Sequence, residues 1–302
     1  DYRNIWIRKE LRICRSWWVW HTDMTFQQKL DAVVEKQNSL LCIGLDSELG
    51  RIPAHLQNEL NPQFVFNKAI IDATHDLVCA YKPNTAFYEA QGAEGISKLK
   101  MTCDYLREKY PDIPIILDAK RGDIGSTNAG YVQFAFDYLG ADAITLHPYL
   151  GKDAILPFLE RKNKDCFILC RASNPGAGEL QDTEVTPDTG NQAVKLYQYL
   201  AKKVVEEWNG NENCGLVVGA TYPGELEIVR RIAKNMPLLI PGIGAQGGDI
   251  EKTVKAGVDS RGKNAIINSS RAIIFAGNGS DFAHIARVAA QKMRDEINQH
   301  RI

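Results

Sequence analysis

Residues 113–120 read IPIILDAK, a short apolar run that ends in an aspartate and a lysine two positions apart. Continuous apolarity over so few residues marks a strand buried on both faces, as in a parallel sheet. The same design recurs in SLLCIGLD (39–46), LVCAYKPN (77–84), DAITLHP (142–148), CFILCRAS (166–173), CGLVVGAT (214–221), PLLIPGIG (237–244) and AIINSSR (265–271). Longer amphipathic stretches lie between the runs, among them NPQFVFNKAIIDATHDL (61–77) and NQAVKLYQYLAKKVVEEW (191–208), and these read as helices. Eight such strand–helix units predict an α/β fold, the (β/α)8 or TIM barrel. An open doubly wound sheet is the structural competitor, but a G-x-G-x-x-G turn after the first strand is missing. No stretch rich in Pro, Gly or Ser divides the chain, so residues 24–302 are expected to form one catalytic barrel.

Composition narrows the classes of partner. The 302 residues are 44% hydrophobic and 24% charged, the balance of a soluble globular enzyme. A formal net charge of -1 argues against nucleic acid or an anionic membrane as a bulk partner. No apolar run approaches the roughly 18 residues needed to cross a bilayer. Cysteines at 14, 42, 79, 103, 166, 170 and 214 include no C-x-x-C pair. They read as small buried hydrophobes in a reducing, cytoplasmic setting. The histidines are scattered with no i, i+4 pair, so no metal site and no cofactor are expected.

Residues 1–23 differ from the rest, holding Trp6, Trp17, Trp18 and Trp20 among basic residues. They read as an N-terminal extension outside the fold, with a basic aromatic helix touching a membrane as the other reading. Met24 then precedes TFQQKLDAVVEKQ (25–37), a well-formed amphipathic stretch.

A barrel of this type carries its active site at the C-terminal ends of its strands. The polar residues expected there are Asp46, Lys82, Asp118, Lys120, His147, Ser173, Asn174, Thr221, Gln246 and Arg271. One charged strand end is ordinarily a solvated rim residue, but so many of both signs point to an electrostatic site. Asp118 and Lys120 leave the same face of their strand. Asp123 follows in the loop, where it can turn back over the site or reach a neighbouring subunit. A histidine before proline at a strand end, as His147 is, reads first as a packing or hydrogen-bonding residue.

The D-x-K-x-x-D pattern of Asp118, Lys120 and Asp123, preceded by Lys82 in YKPN, resembles the orotidine 5′-monophosphate decarboxylase family. The variant DAKRGDIGST (118–127) resembles one of its bacterial-type branches. Further matching pieces are IGLD (43–46), RASNPG (171–176), GATYP (219–223) and PGIGAQGGD (241–249), and the resemblance runs through residues 39–276. It implies that Lys82, Asp118, Lys120 and Asp123 form an alternating catalytic array. Asp123 and Thr127 would be lent by the partner subunit of a homodimer. Asp46 and Lys82 match groups that hold ribose hydroxyls, and Ser173 matches the serine at the pyrimidine edge. Gln246 and Arg271 match the phosphate-binding residues, and Asn174 and Pro241 fall within the implied substrate-binding set. Ser270 stands where the family often has glycine before the arginine.

The chemistry so implied suits these residue types. Loss of carbon dioxide from an orotate ring leaves an in-plane carbanion with no adjacent π system, so fixed charges must stabilise the transition state. Lys120 is suited to stand beside that carbon and protonate it. The glycines of PGIGAQGGD allow close backbone approach to a phosphate near a helix N-terminus. Two other functions compete: a magnesium-dependent sugar-phosphate decarboxylase or synthase of the same superfamily, and a barrel that only binds phosphorylated ligands. Lys82 weighs against the first, because a cation there repels a metal, and the complete Lys-Asp-Lys-Asp set weighs against the second.

Overall fold

A computed structural model describes residues 24–187, 192–244 and 248–301. The expected extension over 1–23, Cys14 within it, and Gln246 lie outside the described residues. Eight parallel strands form one sheet: β1 (Leu41–Gly44), β2 (Ala80–Lys82), β3 (Ile116–Arg121), β4 (Ala143–Leu146), β5 (Asp165–Arg171), β8 (Cys214–Val218), β9 (Leu238–Pro241) and β10 (Ala265–Ser269). All eight predicted strands are present, shorter than the apolar runs that announced them. β6 (Glu184–Val185) and β7 (Val194–Lys195) form a separate antiparallel hairpin.

The sheet runs β2-β1-β10-β9-β8-β5-β4-β3, and its two ends meet. At that seam Tyr81 N–H donates to Pro114 O at 3.0 Å and Asp118 N–H donates to Pro83 O at 2.9 Å. The result is a nearly closed TIM barrel.

The helix α1 (Phe26–Gln37) precedes the first strand. Thr25 caps it, with Gln28 completing a capping box. Its buried residues Phe26, Leu30, Val33 and Val34 make one helical stripe. Phe26 meets Phe167 edge-on with ring centroids 5.6 Å apart, and Lys29 pairs with Asp142 at 2.9 Å. Those partners lie at the beginnings of β4 and β5, so α1 stoppers the N-terminal end of the barrel. Gly215 makes room there, since a side-chain carbon on it would come within 2.5 Å of the Phe167 ring. No helix among the described residues is long and apolar enough to cross a membrane.

The predicted helix over 191–208 needs correction at its start. Val194 and Lys195 belong to the hairpin, and the helix begins at Leu196. The Gln198 side chain accepts from the Lys195 backbone N–H at 3.1 Å, which satisfies a first-turn donor and fixes the boundary. The six described cysteines are free and buried, as their apolar surroundings suggested.

Candidate active site

The C-terminal mouth of the barrel opens into a cavity of about 290 Å³. β2 ends on Lys82, and β3 carries Asp118 opposite it. Lys82 is 3% exposed and Asp118 is 8% exposed. Burying such a pair is costly unless its remaining hydrogen-bonding sites are filled. Here they are. Asp118 Oδ2 accepts from Lys82 Nζ at 3.0 Å and Asn84 Nδ2 at 3.2 Å, while Oδ1 accepts from Lys120 Nζ at 2.6 Å and Thr145 Oγ1 at 2.9 Å. Burial alone pushes the Asp118 carboxyl up, but the Lys82 and Lys120 charges outweigh it and hold the group well below the usual carboxylate range. Burial likewise opposes the charge on Lys82, yet Asp118 and Asp46 prevail and hold it above the ordinary lysine range. Asp46 Oδ1 stands 3.9 Å from Lys82 Nζ.

The segment that carries Asp118 and Lys120 is not a regular strand. Leu117 pairs with Ile144 and Arg121 with Leu146, so β3 spends extra residues against β4 in a bulge. Lys120 takes a left-handed φ of 46° within it. Thr145 Oγ1 accepts from the backbone N–H groups of Ala119 and Lys120 at 3.0 and 2.9 Å, replacing ladder partners that the bulge removes. The bulge thereby aims Lys120 into the mouth, where its side chain is 47% exposed.

The opposite wall is apolar. Leu169 on β5, Val217 on β8, Leu239 and Pro241 on β9, and Ile243 line it. Ser173 and Asn174 overhang this wall from the loop after β5. That loop is tied down by the buried Arg171, which donates to Asp182 Oδ2 at 3.1 Å and Gln181 Oε1 at 3.3 Å. Thr221 donates to Ser173 O at 3.2 Å and steadies the loop from β8. Gly242, Ser270 and Arg271 close the remaining side.

The orotidine 5′-phosphate decarboxylase / HUMPS family profile matches residues 39–284. The chain belongs to this family. The orotidine 5′-phosphate decarboxylase of Azoarcus sp. (strain BH72) is 50% identical over 278 residues, covering 92% of this chain and 100% of that protein. The structure of Leishmania donovani OMP decarboxylase matches with a TM-score of 0.77 at 36% identity, covering 92% of this chain and 99% of that one. Leishmania donovani UMP synthase matches with a TM-score of 0.80 at 38% identity, but this chain spans only 57% of its length.

Against this family background, the fold brings Asp46, Lys82, Asp118, Lys120, Ser173, Asn174 and Arg271, all read from strand ends, to one cavity with Pro241, which the resemblance alone had named. It does not bring Asp123 or Thr127 there. Asp123 Oδ1 accepts from the Ile124 backbone N–H at 2.7 Å, its own N–H donates to Asn128 Oδ1 at 3.0 Å, and Thr127 is exposed. His147 and Thr221 follow strand ends as read but stand outside the cavity lining, and His147 makes the hydrogen-bonding contact expected of it. His147 lies 3.1 Å from Gly122 O through Nε2, and Thr221 acts on the Ser173 loop.

Sequence reasoning missed Asn84, Thr145 and Asn268. Asn84 and Thr145 donate to Asp118, and Asn268 lines the cavity floor. The signal was present in the sequence, since Asn84 is two residues from Lys82, Thr145 is a polar position inside an otherwise apolar run, and Asn268 opens the polar end of AIINSSR three residues before Arg271.

Proposed function

We propose that this chain decarboxylates orotidine 5′-monophosphate to uridine 5′-monophosphate, the last step of de novo pyrimidine biosynthesis. The observation that carries the reading is Asp118 held ionised between Lys82 and Lys120 at the mouth of a barrel of this family. The nucleotide ring lies between the apolar wall and the charged wall. Asp46 and Lys82 hold the sugar hydroxyls, Ser173 meets the pyrimidine edge, Gln246 and Arg271 hold the phosphate, and Asn174 and Pro241 belong to the same substrate-binding set.

The bond from the ring carbon to the carboxylate carbon breaks, carbon dioxide leaves, and the electron pair stays in the ring plane. The Lys120 ammonium lies beside that pair and gives it a proton, becoming a neutral amine that regains a proton from solvent. Asp118 faces the departing carboxylate and favours its loss, while its fixed position keeps Lys120 aimed. These groups together contribute within the roughly 8–23 kcal/mol typical of enzymes. Binding the remote phosphate gives Arg271 a share in organising the reacting end.

The barrel is a single catalytic domain that works as a cytoplasmic homodimer, and Asp123 and Thr127 complete the site of the partner subunit. Exposed apolar residues beside Asp123 support that face as an interface. Ile124 is 62% exposed and Tyr149 is 86% exposed, on loops that approach each other at Gly122 and His147.

A magnesium-dependent relative is disfavoured by one relationship: the Lys82 ammonium occupies the space between Asp46 and Asp118 where a divalent ion would have to bind. Loss of orotidylate ultraviolet absorbance, followed with and without a chelator, tests the reading. Turnover that survives chelation supports it. Turnover lost to the chelator selects the magnesium enzyme, and no turnover selects a binding barrel.

A further inference from the structure

The cavity floor is built from inward side chains of four strands: Leu169 on β5, Val217 on β8, Leu239 on β9 and Asn268 on β10. Three are apolar and the fourth is a carboxamide that is 6% exposed. Among the described residues its Oδ1 is shut off from solvent and has no hydrogen-bond partner. Its Nδ2 reaches only Ser270 Oγ, at 3.4 Å. A buried polar group left in this state is destabilising, a cost that a leucine completing the layer would not carry. The fold therefore maintains an idle amide where an apolar side chain would serve stability better.

One other cavity-lining residue has a buried acceptor without a hydrogen-bond donor, and it is Asp46 through Oδ1. The two residues share a corner. A side-chain carbon on Gly44 would lie 1.8 Å from Ser270 Oγ and 3.3 Å from Asp46 Oδ2, and Ser270 is also the neighbour of Asn268. Gly44 keeps that corner open. A carboxylate and an amide oxygen repel a phosphate and call for donors that can also accept. A sugar hydroxyl is such a group, whereas Arg271 on the adjoining rim suits the anion.

We propose that Asn268 is a substrate-contacting residue that, with Asp46, grips a hydroxyl of the nucleotide sugar and so favours ribonucleotides over deoxygenated ones. This rests on the nucleotide reading of the cavity given above. Loss of that hydroxyl leaves the amide and the carboxylate unmet in a layer that excludes water. Discrimination then arises from buried partners left idle rather than from steric exclusion.

Calorimetric binding of uridine 5′-monophosphate and its 2′-deoxy and 3′-deoxy counterparts tests the assignment, using wild-type protein, Asn268→Leu and Asn268→Ala. For one of the two hydroxyls, the affinity lost on its removal should shrink by about tenfold in both variants relative to wild type. Asn268→Ala supplies the same reading if Asn268→Leu does not fold. Equal weakening of all three ligands, or no weakening of any, overturns the assignment and leaves Asn268 a structural residue. If wild-type protein binds none of the three, the nucleotide reading itself fails and this inference falls with it.

Discussion

Thr145 Oγ1 donates to Asp118 Oδ1 at 2.9 Å while accepting the backbone N–H groups of Ala119 and Lys120, so one hydroxyl fixes both the central carboxylate and the bulge beside it. The hydroxyl belongs to β4, yet its effect falls on residues of β3. Strand β4 thus determines where the end of β3 points.

Thr145→Val removes that junction and leaves two backbone donors and one carboxylate oxygen short of a partner. Turnover should fall by about 10–100-fold, because a small misplacement of the reacting groups is amplified in rate. Affinity for uridine 5′-monophosphate should change by no more than about threefold. Steady-state kinetics with equilibrium binding on the same preparations separates the two. An unchanged turnover would show that the bulge holds its shape without Thr145.

Lys120 combines a chemical assignment with an unfavourable backbone. Lys120→Ala and Lys120→Gly should both abolish turnover, since each removes the proton donor. Their stabilities should differ, because alanine at a φ of 46° is strained and glycine is not. Urea denaturation should show Lys120→Gly to be more stable than Lys120→Ala by about 1 kcal/mol. Equal midpoints would mean that the bulge relaxes once the lysine is gone.

Among the described residues Asp123 makes only local hydrogen bonds, and its carboxylate is engaged through Oδ1 alone, which leaves Oδ2 to serve a neighbour. Inactive Lys120→Ala and inactive Asp123→Ala chains, mixed and allowed to exchange, should recover activity. Mixed dimers collect both lesions in one site and leave the other whole, so recovery should approach roughly a quarter of normal, consistent with sites shared across an isologous pair. Recovery of nothing after exchange has been demonstrated by mass would assign Asp123 to its own chain.

At the opposite end of the barrel, Asp165 opens β5 without an ion-pair partner among the described residues, and burial alone pushes its carboxyl up to about 7 from 3.8. The folded chain then binds a proton that the unfolded chain has released, so this group's contribution is full below about 3.8 and is lost as pH rises through about 7. Asp165→Asn should leave stability near pH 4 unchanged and raise it above pH 8, by at most roughly 4 kcal/mol. Denaturation midpoints at the two pH values provide the measurement, and parallel pH profiles for wild type and variant would count against it.

How much of this was legible before folding varies by residue. The strands were readable because double-sided burial writes an uninterrupted apolar run, and Lys82, Asp118, Lys120 and Arg271 were readable because they end such runs. Thr145 was not, since a single polar residue within an apolar run looks like a tolerated exception until its neighbours in the layer are known, and Asn268 was passed over because it opens a polar strand end in which Arg271 carries the obvious charge. The bulge in β3 was hidden for a related reason. Its cause is a hydroxyl 25 residues further along the chain. The hairpin of β6 and β7 escaped because Val194 and Lys195 fit the helical pattern that follows them. Asp123 and Thr127 were placed by resemblance alone, and nothing within one chain draws them toward its cavity.

The division of the cavity into a charged side on β1, β2 and β3 and an apolar side on β5, β8 and β9 has a directional consequence. A flat molecule with an anionic edge has one favourable rotation about its long axis. Turned over, it would press that edge against Leu169, Val217 and Leu239 and leave both lysines unanswered. On the proposed assignment, the proton on Lys120 accordingly reaches the ring from a single bearing. A frame made of eight similar repeats thereby behaves as one vector.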